Sequence, residues 1–327
     1  MIPVDISRRD LLSRSAGLLA SASGLVQAQT ARLRILCIAP PGGTPDLVAR
    51  TYADAMARHH PAGVFVDNRP GAGGQIAIGA FKQSAPDGAT MLLAHAGALT
   101  LNPHLYAKLN YDPDIDLTPV SLAAETAFAL ALGAAVPAEV RSFDGFVAWA
   151  RANPLACNYG SPGVGTLPHL LGAMLFQRIQ VVAQHVSYPG GPVAIGDALG
   201  ARLAVLVLPV GLLRPYLATG KLRILATTGA TRDAFMPDVP TFAEHGHDLL
   251  TVRDWFGFFM PGATSPAVVE GMSRAVRAAA ESAPVSTALQ DMALSVTMAT
   301  PAAMVQRIAV ERRQWRETIR AIGLRLE

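Results

Sequence analysis

Residues 34–58 read RILCIAPPGGTPDLVARTYADAMAR, a short apolar segment, a turn rich in glycine and proline, and then an amphipathic segment. The pattern predicts a strand over Arg34–Ala39 and a helix over Asp46–Arg58, whose apolar side chains recur at helical spacing. Between them lies Pro40–Asp46. Its glycines let backbone amides approach a ligand closely, and the start of a helix favours an anion. The alternative interpretation is a purely structural turn in which Asp46 caps the helix.

The same alternation of strands and helices continues along the chain, which predicts an α/β fold with parallel sheets and helices on both faces. Strands are predicted over Val64–Asp67, Thr90–Ala94, Cys157–Tyr159, Gln184–Val186, Ala204–Leu208 and Arg223–Thr227. Helices are predicted over Gln75–Gln83, Phe143–Ala152, Pro168–Arg178, Val193–Leu199 and Leu212–Thr219. Two long helices are expected to open at Ser265-Pro266 and Thr300-Pro301, where a capping hydroxyl precedes a first-turn proline.

Two non-helical passages, Asp116–Ala127 and Thr251–Pro261, are predicted to cross between domains. Residues 30–127 and 253–327 then form one domain, and residues 128–252 form the other. Two crossings at one edge make a hinge, and the cleft between the domains becomes the ligand site.

Composition narrows the possible functions. The 327 residues are 51% hydrophobic and 16% charged, which is typical of a globular chain long enough for two domains. Aromatic residues make up only 6%, which argues against a stacking surface for sugars or nucleic acid. The net charge is +3 and the arginines are scattered, so no nucleic-acid partner is predicted.

The N-terminus carries an export pattern. Arg8-Arg9 precedes an apolar stretch of small residues from Ala16 to Val26, and Val26-Gln27-Ala28 offers compact residues before a cleavage point. Residues 1–28 are therefore predicted to be a twin-arginine export signal, and the mature protein to be periplasmic. The apolar stretch is too short to span a bilayer. The alternative is a frayed amphipathic helix.

Two further groups of side chains could carry chemistry. Cys37 and Cys157 are far apart, and buried free thiols are expected, although a bridge between them stays open. Glu244–Asp248 is a compact group of histidines and acids. Because no third ligand is indicated, it is interpreted as a solvated loop, and neither a metal nor another cofactor is predicted.

A second glycine-rich turn, Gly160–Thr166, follows a predicted strand and precedes a helix. It lacks the lysine of a P-loop, and Tyr159 stands where a nucleophile elbow requires glycine. Its consecutive amides and two hydroxyls are instead typical of an anion site at a helix start. His169, one turn into that helix, either contacts the ligand or braces its own loop.

The segment Gly71–Ala77 matches the dinucleotide pattern G-x-G-x-x-A. However, Asp67–Pro70 separates it from the preceding strand, and Asp87 comes too early for the ribose-binding acid, so no nicotinamide site is predicted. No catalytic combination of side chains stands out, and the chain is predicted not to be an enzyme. The alternative is a hydrolase using the same cleft, which the lack of a nucleophile–base pair disfavours.

In this order, the two glycine-rich loops resemble those of the Bug family of extracytoplasmic solute receptors (TctC-like), which serve tripartite tricarboxylate transporters. The likeness extends over nearly the whole mature chain. The matching segments are Pro40–Asp46 with Ala49-Arg50, Asp67–Gly74, Pro86–Gly88, Asn102–Tyr106, Tyr111–Pro113, Gly165-Thr166 with His169-Leu170, Gly220–Arg223, Pro237–Thr241 and Trp255–Gly257.

The resemblance implies a type II periplasmic-binding-protein fold, two α/β domains joined by two hinge crossings. It implies a monomeric receptor that holds the carboxylate of a small ligand by backbone amides and ordered waters, and that delivers it to membrane transporter subunits. Presentation to a sensor kinase stays open. The predicted ligand-binding residues are Pro41, Gly42, Gly43, Thr44, Asp46, Ser161, Gly163, Val164, Gly165, Thr166, His169 and Leu208.

The chain departs from the family pattern at three positions where acidic residues are usual, namely Ala173, Ala204 and Leu208. Ser187 and Pro189 also stand where proline and lysine are usual. A desolvated ammonium group needs an acidic or carbonyl partner. An aromatic or dicarboxylic acid is therefore expected as the ligand ahead of an amino acid.

Overall fold

The computed structural model describes residues 32–326, so the predicted export signal lies outside the described residues. Eleven strands are found there: β1 (Leu33–Cys37), β2 (Val64–Asn68), β3 (Thr90–His95), β4 (Leu117–Thr126), β5 (Phe128–Leu132), β6 (Asn158–Ser161), β7 (Gln184–Ser187), β8 (Val205–Pro209), β9 (Arg223–Thr227), β10 (Asp254–Pro261) and β11 (Ser295–Val296). Eleven α-helices accompany them: α1 (Thr44–Ala57), α2 (Gln75–Phe81), α3 (Ala96–Thr100), α4 (Asn102–Leu105), α5 (Phe143–Ala152), α6 (Leu167–Arg178), α7 (Gly191–Leu199), α8 (Val210–Leu217), α9 (Pro266–Glu281), α10 (Ala283–Asp291) and α11 (Pro301–Ile322).

The strands form two sheets. One has six strands in the order β11-β4-β10-β3-β1-β2, and the other has five in the order β7-β6-β8-β5-β9. We call the six-stranded sheet with helices α1–α4 and α9–α11 the first lobe, and the five-stranded sheet with helices α5–α8 the second lobe. The chain passes from the first sheet to the second at Ala127, which alone separates β4 from β5.

The predicted parallel pairing is present in only part of each sheet. Strand β1 is parallel to β2 and β3, and β6 is parallel to β7 and β8. However, β10 is antiparallel to β3 and β4, and β5 is antiparallel to β8 and β9, so the prediction is wrong there. The physical reason in the first sheet is that Thr251–Pro261, interpreted as a crossing, contains the long strand β10, which runs opposite to its neighbours. In the second sheet the opposite direction comes from β5, which was not predicted as a strand.

Helix α1 shows how the apolar pattern produces packing. Val48, Tyr52 and Met56 are spaced by four residues and are buried on one side of the helix. The ring of Tyr52 meets Phe258 of β10 edge-on, with ring centroids 5.1 Å apart. Its hydroxyl donates to the carbonyl oxygen of Ala123 at 2.8 Å, so this buried polar group is satisfied. Helix α1 is thereby fixed over the first sheet.

The long C-terminal helices begin where the sequence predicts. Helix α9 starts at Pro266 after Ser265, and α11 starts at Pro301 after Thr300, whose hydroxyl accepts from the amide of Ala303 at 3.2 Å. Cys37 and Cys157 are free and buried. In residues 32–326, no helix combines the length and apolar character needed to cross a membrane.

Candidate functional site

A cavity of about 550 Å³ lies between the two lobes. Its lining comes mainly from parts of four loops, at residues 38–45 and 70–74 in the first lobe and at residues 162–168 and 187–191 in the second. The lobes approach each other closely beside it. A Cβ atom added to Gly190 would lie only 2.9 Å from Cγ of Pro40. The cavity is therefore a cleft with one set of loops on each side.

Six helices begin at this cleft. The residue that precedes each of them lines the cavity: Gly43 for α1, Gly74 for α2, His95 for α3, Thr166 for α6, Gly190 for α7 and Pro209 for α8. The first amides of a helix have no partner within the helix, and the helix dipole is positive at this end. Side chains cap only α3 among the six. In the described part of the chain no lysine or arginine lines the cleft, so the groups there that favour an anion are the backbone amides at the helix starts.

The first predicted loop is held in shape by Asp46, which is buried behind it. The Asp46 carboxylate accepts from the Gly42 amide at 2.9 Å, from Nε of Arg50 at 3.0 Å and from Nδ2 of Asn68 at 2.8 Å. Burial alone would raise the pKa of Asp46, but these hydrogen bonds hold it below its ordinary value. Asp46 thus positions the loop, and Gly43 and Thr44 line the cleft.

The second predicted loop is braced by two histidines. The amide of Gly165 donates to Nδ1 of His169 at 3.3 Å, and Oγ of Ser161 lies 2.8 Å from Nε2 of His185. The two imidazole rings are 4.0 Å apart, and burial lowers the pKa of His185 to about 4. His169 therefore supports its own loop, one of the two interpretations left open by the sequence.

The pair of Ser161 and His185 corrects the expectation that no serine lies beside a base. The pair does not form a hydrolase site, because Ser161 is 0% exposed and neither residue lines the cleft. A nucleophile needs access to its substrate. The hydroxyl instead bonds within the loop, where it donates to the carbonyl oxygen of Gly163 at 3.1 Å.

Five of the predicted ligand-binding residues line the cleft, namely Gly43, Thr44, Gly163, Val164 and Thr166. The other seven do not line it: Pro41, Gly42, Asp46, Ser161, Gly165, His169 and Leu208. Most of these lie in the same loops and shape them. Leu208 is different, because it is buried in the core of the second lobe, beneath Gly191.

The structure adds a third loop, Gly71–Gly74, whose sequence matches a dinucleotide pattern and belongs to the segment Asp67–Gly74 that resembles the Bug family. All four residues have positive φ, at 125°, 48°, 61° and 96°. Glycine adopts this backbone readily and other residues rarely do, which explains the run of glycines. The glycine spacing was the signal that could have placed this loop at the cleft.

The loop around Glu244 and its histidines is structural. Glu244 forms an ion pair with Arg232 at 2.7 Å, and the ring of His245 stacks on Phe143 with centroids 4.5 Å apart. His247 accepts from Nε of Arg178 at 3.2 Å. Among residues 32–326, no group of three or more candidate metal ligands was found.

Comparisons with known proteins agree with this architecture. A family model described as the tripartite tricarboxylate transporter family receptor, TctC, matches residues 48–324. The UPF0065 protein in the tcbD-tcbE intergenic region of Pseudomonas sp. (strain P51) is 32% identical over 286 residues, 86% of this chain and 83% of that protein. Protein BugT of Bordetella pertussis is 29% identical over 289 residues, 88% of each chain.

Solved structures extend the likeness. The periplasmic binding protein BugD superposes with a TM-score of 0.85 at 25% identity, over 91% of this chain and 99% of that one. MatC of Rhodopseudomonas palustris with bound malate superposes with a TM-score of 0.81 at 26% identity, over 88% of this chain and 99% of that one. Rpa4515 of R. palustris with adipate superposes with a TM-score of 0.84 at 26% identity, over 90% of this chain and 98% of that one.

The fold and the cleft define a two-lobed solute-binding protein of the type II periplasmic-binding class. The chain belongs to the tripartite tricarboxylate transporter receptor family, as its resemblance to the Bug receptors implied. Receptors of this family are periplasmic and are not enzymes. This confirms the prediction of a solute receptor.

Proposed function

We propose that this receptor captures a small carboxylate in the cleft between its lobes, with an aromatic or dicarboxylic acid favoured over an amino acid. The observation that carries the proposal is the convergence of helix starts without side-chain caps on a cleft lined by no lysine or arginine of the described chain. Such amides bind an anion even though the protein supplies no formal positive charge there. Two relatives of similar fold are a malate-bound and an adipate-bound protein, which supports this ligand class.

The carboxylate site is assigned to the loops around Gly43-Thr44 and Gly163–Thr166. Each loop belongs to a different lobe, so a ligand that touches both favours the closed arrangement. We propose the domain division stated from the sequence, residues 30–127 with 253–327 against 128–252. The membership of the strands in the two sheets supports it.

A thermal-shift screen tests the ligand class. A panel of monocarboxylic, dicarboxylic and aromatic acids is expected to contain members that raise the melting temperature, because a ligand at 100 times its Kd stabilises the native state by about 2.7 kcal/mol. Matched amides or methyl esters serve as controls and are expected to give no shift. Small-angle scattering of the saturated protein should show a smaller radius of gyration. A panel without any shift, or shifts as large with the esters, would contradict the proposal.

Export and delivery complete the proposal. The precursor uses the twin-arginine route, and the mature protein acts as a monomer that hands its ligand to membrane subunits of a tripartite tricarboxylate-type transporter. Replacing Arg8 and Arg9 together by lysine is expected to retain precursor in the cytoplasm. A periplasmic yield equal to that of the unchanged protein would exclude the twin-arginine route. It would mean that the protein is exported by another pathway.

A further inference from the structure

Two polar side chains from neighbouring strands of the first lobe line the cleft and do not belong to the loops assigned to the carboxylate. His95 ends strand β3, Asp254 begins the adjacent strand β10, and both line the cavity. Strand β10 runs antiparallel to β3 with Phe256 opposite His95, so Asp254 lies two residues from the partner of His95. The two side chains therefore share one short stretch of wall, although 159 positions separate them in the sequence.

The imidazole of His95 is a neutral hydrogen-bond donor. Its Nδ1 accepts from the amide of Ala98 at 3.3 Å, which makes this ring nitrogen the acceptor. Burial lowers the pKa of His95 to about 4, so the ring carries a single proton at neutral pH. That proton lies on Nε2, on the opposite side of the ring from Ala98.

Asp254 supplies the acceptor. It is 5% exposed, its Oδ1 accepts from the amide of Trp255 at 2.9 Å, and burial raises its pKa to about 7. Arg307 is the basic residue whose charge acts on Asp254, and it is already paired with Glu125 and Glu311. Because Asp254 also lines the cleft, its remaining oxygen lone pairs can accept a hydrogen bond from a ligand.

We infer that His95 and Asp254 form a specificity subsite for a ligand hydroxyl group, so that the preferred ligands are hydroxylated carboxylates. This inference rests on the proposed carboxylate function and names a narrower substrate class for it. A hydroxyl accepts one hydrogen bond and donates another, so it satisfies Nε2–H of His95 and the Asp254 carboxyl together.

Other ligand groups fit this subsite less well. A methylene group leaves both side chains unpaired, which is costly because Phe128 and Phe256 make the adjoining surface apolar. An ammonium group has no lone pair for the His95 proton. A second carboxylate accepts from His95 but is repelled by Asp254 whenever that carboxyl group is ionised.

Calorimetry on the full mature protein with matched acids tests the subsite. The pairs are malate with succinate, 3-hydroxyadipate with adipate, and 4-hydroxybenzoate with benzoate. At least one hydroxy acid is expected to bind tenfold or more tightly than its parent, because a site built for a hydroxyl discriminates strongly against its absence. In His95→Asn and Asp254→Asn the ratio is expected to fall below threefold. The asparagine at 95 can still cap α3, and the one at 254 can still accept from Trp255.

The helix variant Gly196→Ala serves as the control and should keep the wild-type ratio, since a Cβ atom there meets nothing within 4 Å. Equal affinities within every pair overturn the subsite and leave the carboxylate proposal intact, whereas a failure of all acids to bind overturns both. A preference that persists in both asparagine variants assigns the hydroxyl to other residues and also overturns the inference. Tighter binding of aspartate than of malate would make Asp254 a counter-ion and overturn the hydroxyl class.

Discussion

Replacing Gly165 by valine is expected to raise the dissociation constant of the bound acid at least a hundredfold. Gly165 has a φ of 79°, a backbone conformation that a β-branched residue adopts only under strain. A Cβ atom at this position would lie 2.6 Å from Oη of Tyr106 and 3.2 Å from Cδ1 of Leu326. Tyr106 and Leu326 approach from the first lobe, so the valine both distorts the second loop and holds the lobes apart.

The hundredfold figure corresponds to about 2.7 kcal/mol, which is the scale expected when a clash is added to backbone strain. Calorimetry with the acid that gives the largest thermal shift measures it, and Gly196→Ala is the matched glycine control. Removing the obstructing ring in the double variant Tyr106→Ala with Gly165→Val should restore part of the affinity. A change of less than threefold in Gly165→Val would show that the lobes do not need this contact to close.

The secondary structure was predictable because its signals are local. Helix α5 has the predicted bounds Phe143–Ala152, since Ser142 caps it and its apolar residues recur at helical spacing. Strand β9 likewise has the predicted bounds Arg223–Thr227. Strands β4 and β10 were not predicted, because nothing in a short window distinguishes a crossing segment from a strand that pairs with distant partners. Strand β5 lies outside the predicted crossings and was missed although Phe128–Leu132 is a continuous apolar run.

The cleft was predictable to the extent that each loop carries its own pattern. The loops at Gly43-Thr44 and Gly163–Thr166 are recognisable in the sequence because each is a glycine-rich turn at the start of a helix. Asp254 has no such pattern, because one acid before a tryptophan has no signature, and its place in the cleft follows from the pairing of β10 with β3. Ala173, Ala204 and Leu208 stand where acids are usual in the family, whereas Asp254, which no sequence pattern marks, lines the cleft. In the proposed subsite, discrimination against an ammonium group therefore depends on His95.

Arg223→Met is expected to lower the free energy of unfolding by about 2–4 kcal/mol, since hydrogen bonds to charged groups contribute about 1.5–3 kcal/mol each and this site is only partly buried. The Arg223 guanidinium donates to four carbonyl oxygens of the segment after β5: Gly133 at 3.0 Å, Val136 at 2.7 Å, Val140 at 3.0 Å, and Pro137. Desolvation in this position lowers the pKa of Arg223. Methionine keeps the aliphatic stem and removes every donor.

Urea denaturation monitored by circular dichroism measures this change, and hydrogen exchange should show that amides within residues 133–140 lose protection first. Arg223→Lys is expected to recover less than half of the loss, because one ammonium group cannot span four carbonyl oxygens as the planar guanidinium does. The matched control is Arg274→Met, which removes an arginine from an exposed pair with Glu270 on α9 and should change stability little. Equal effects of the two methionine variants would mean that the carbonyl cluster around Arg223 does not stabilise the second lobe.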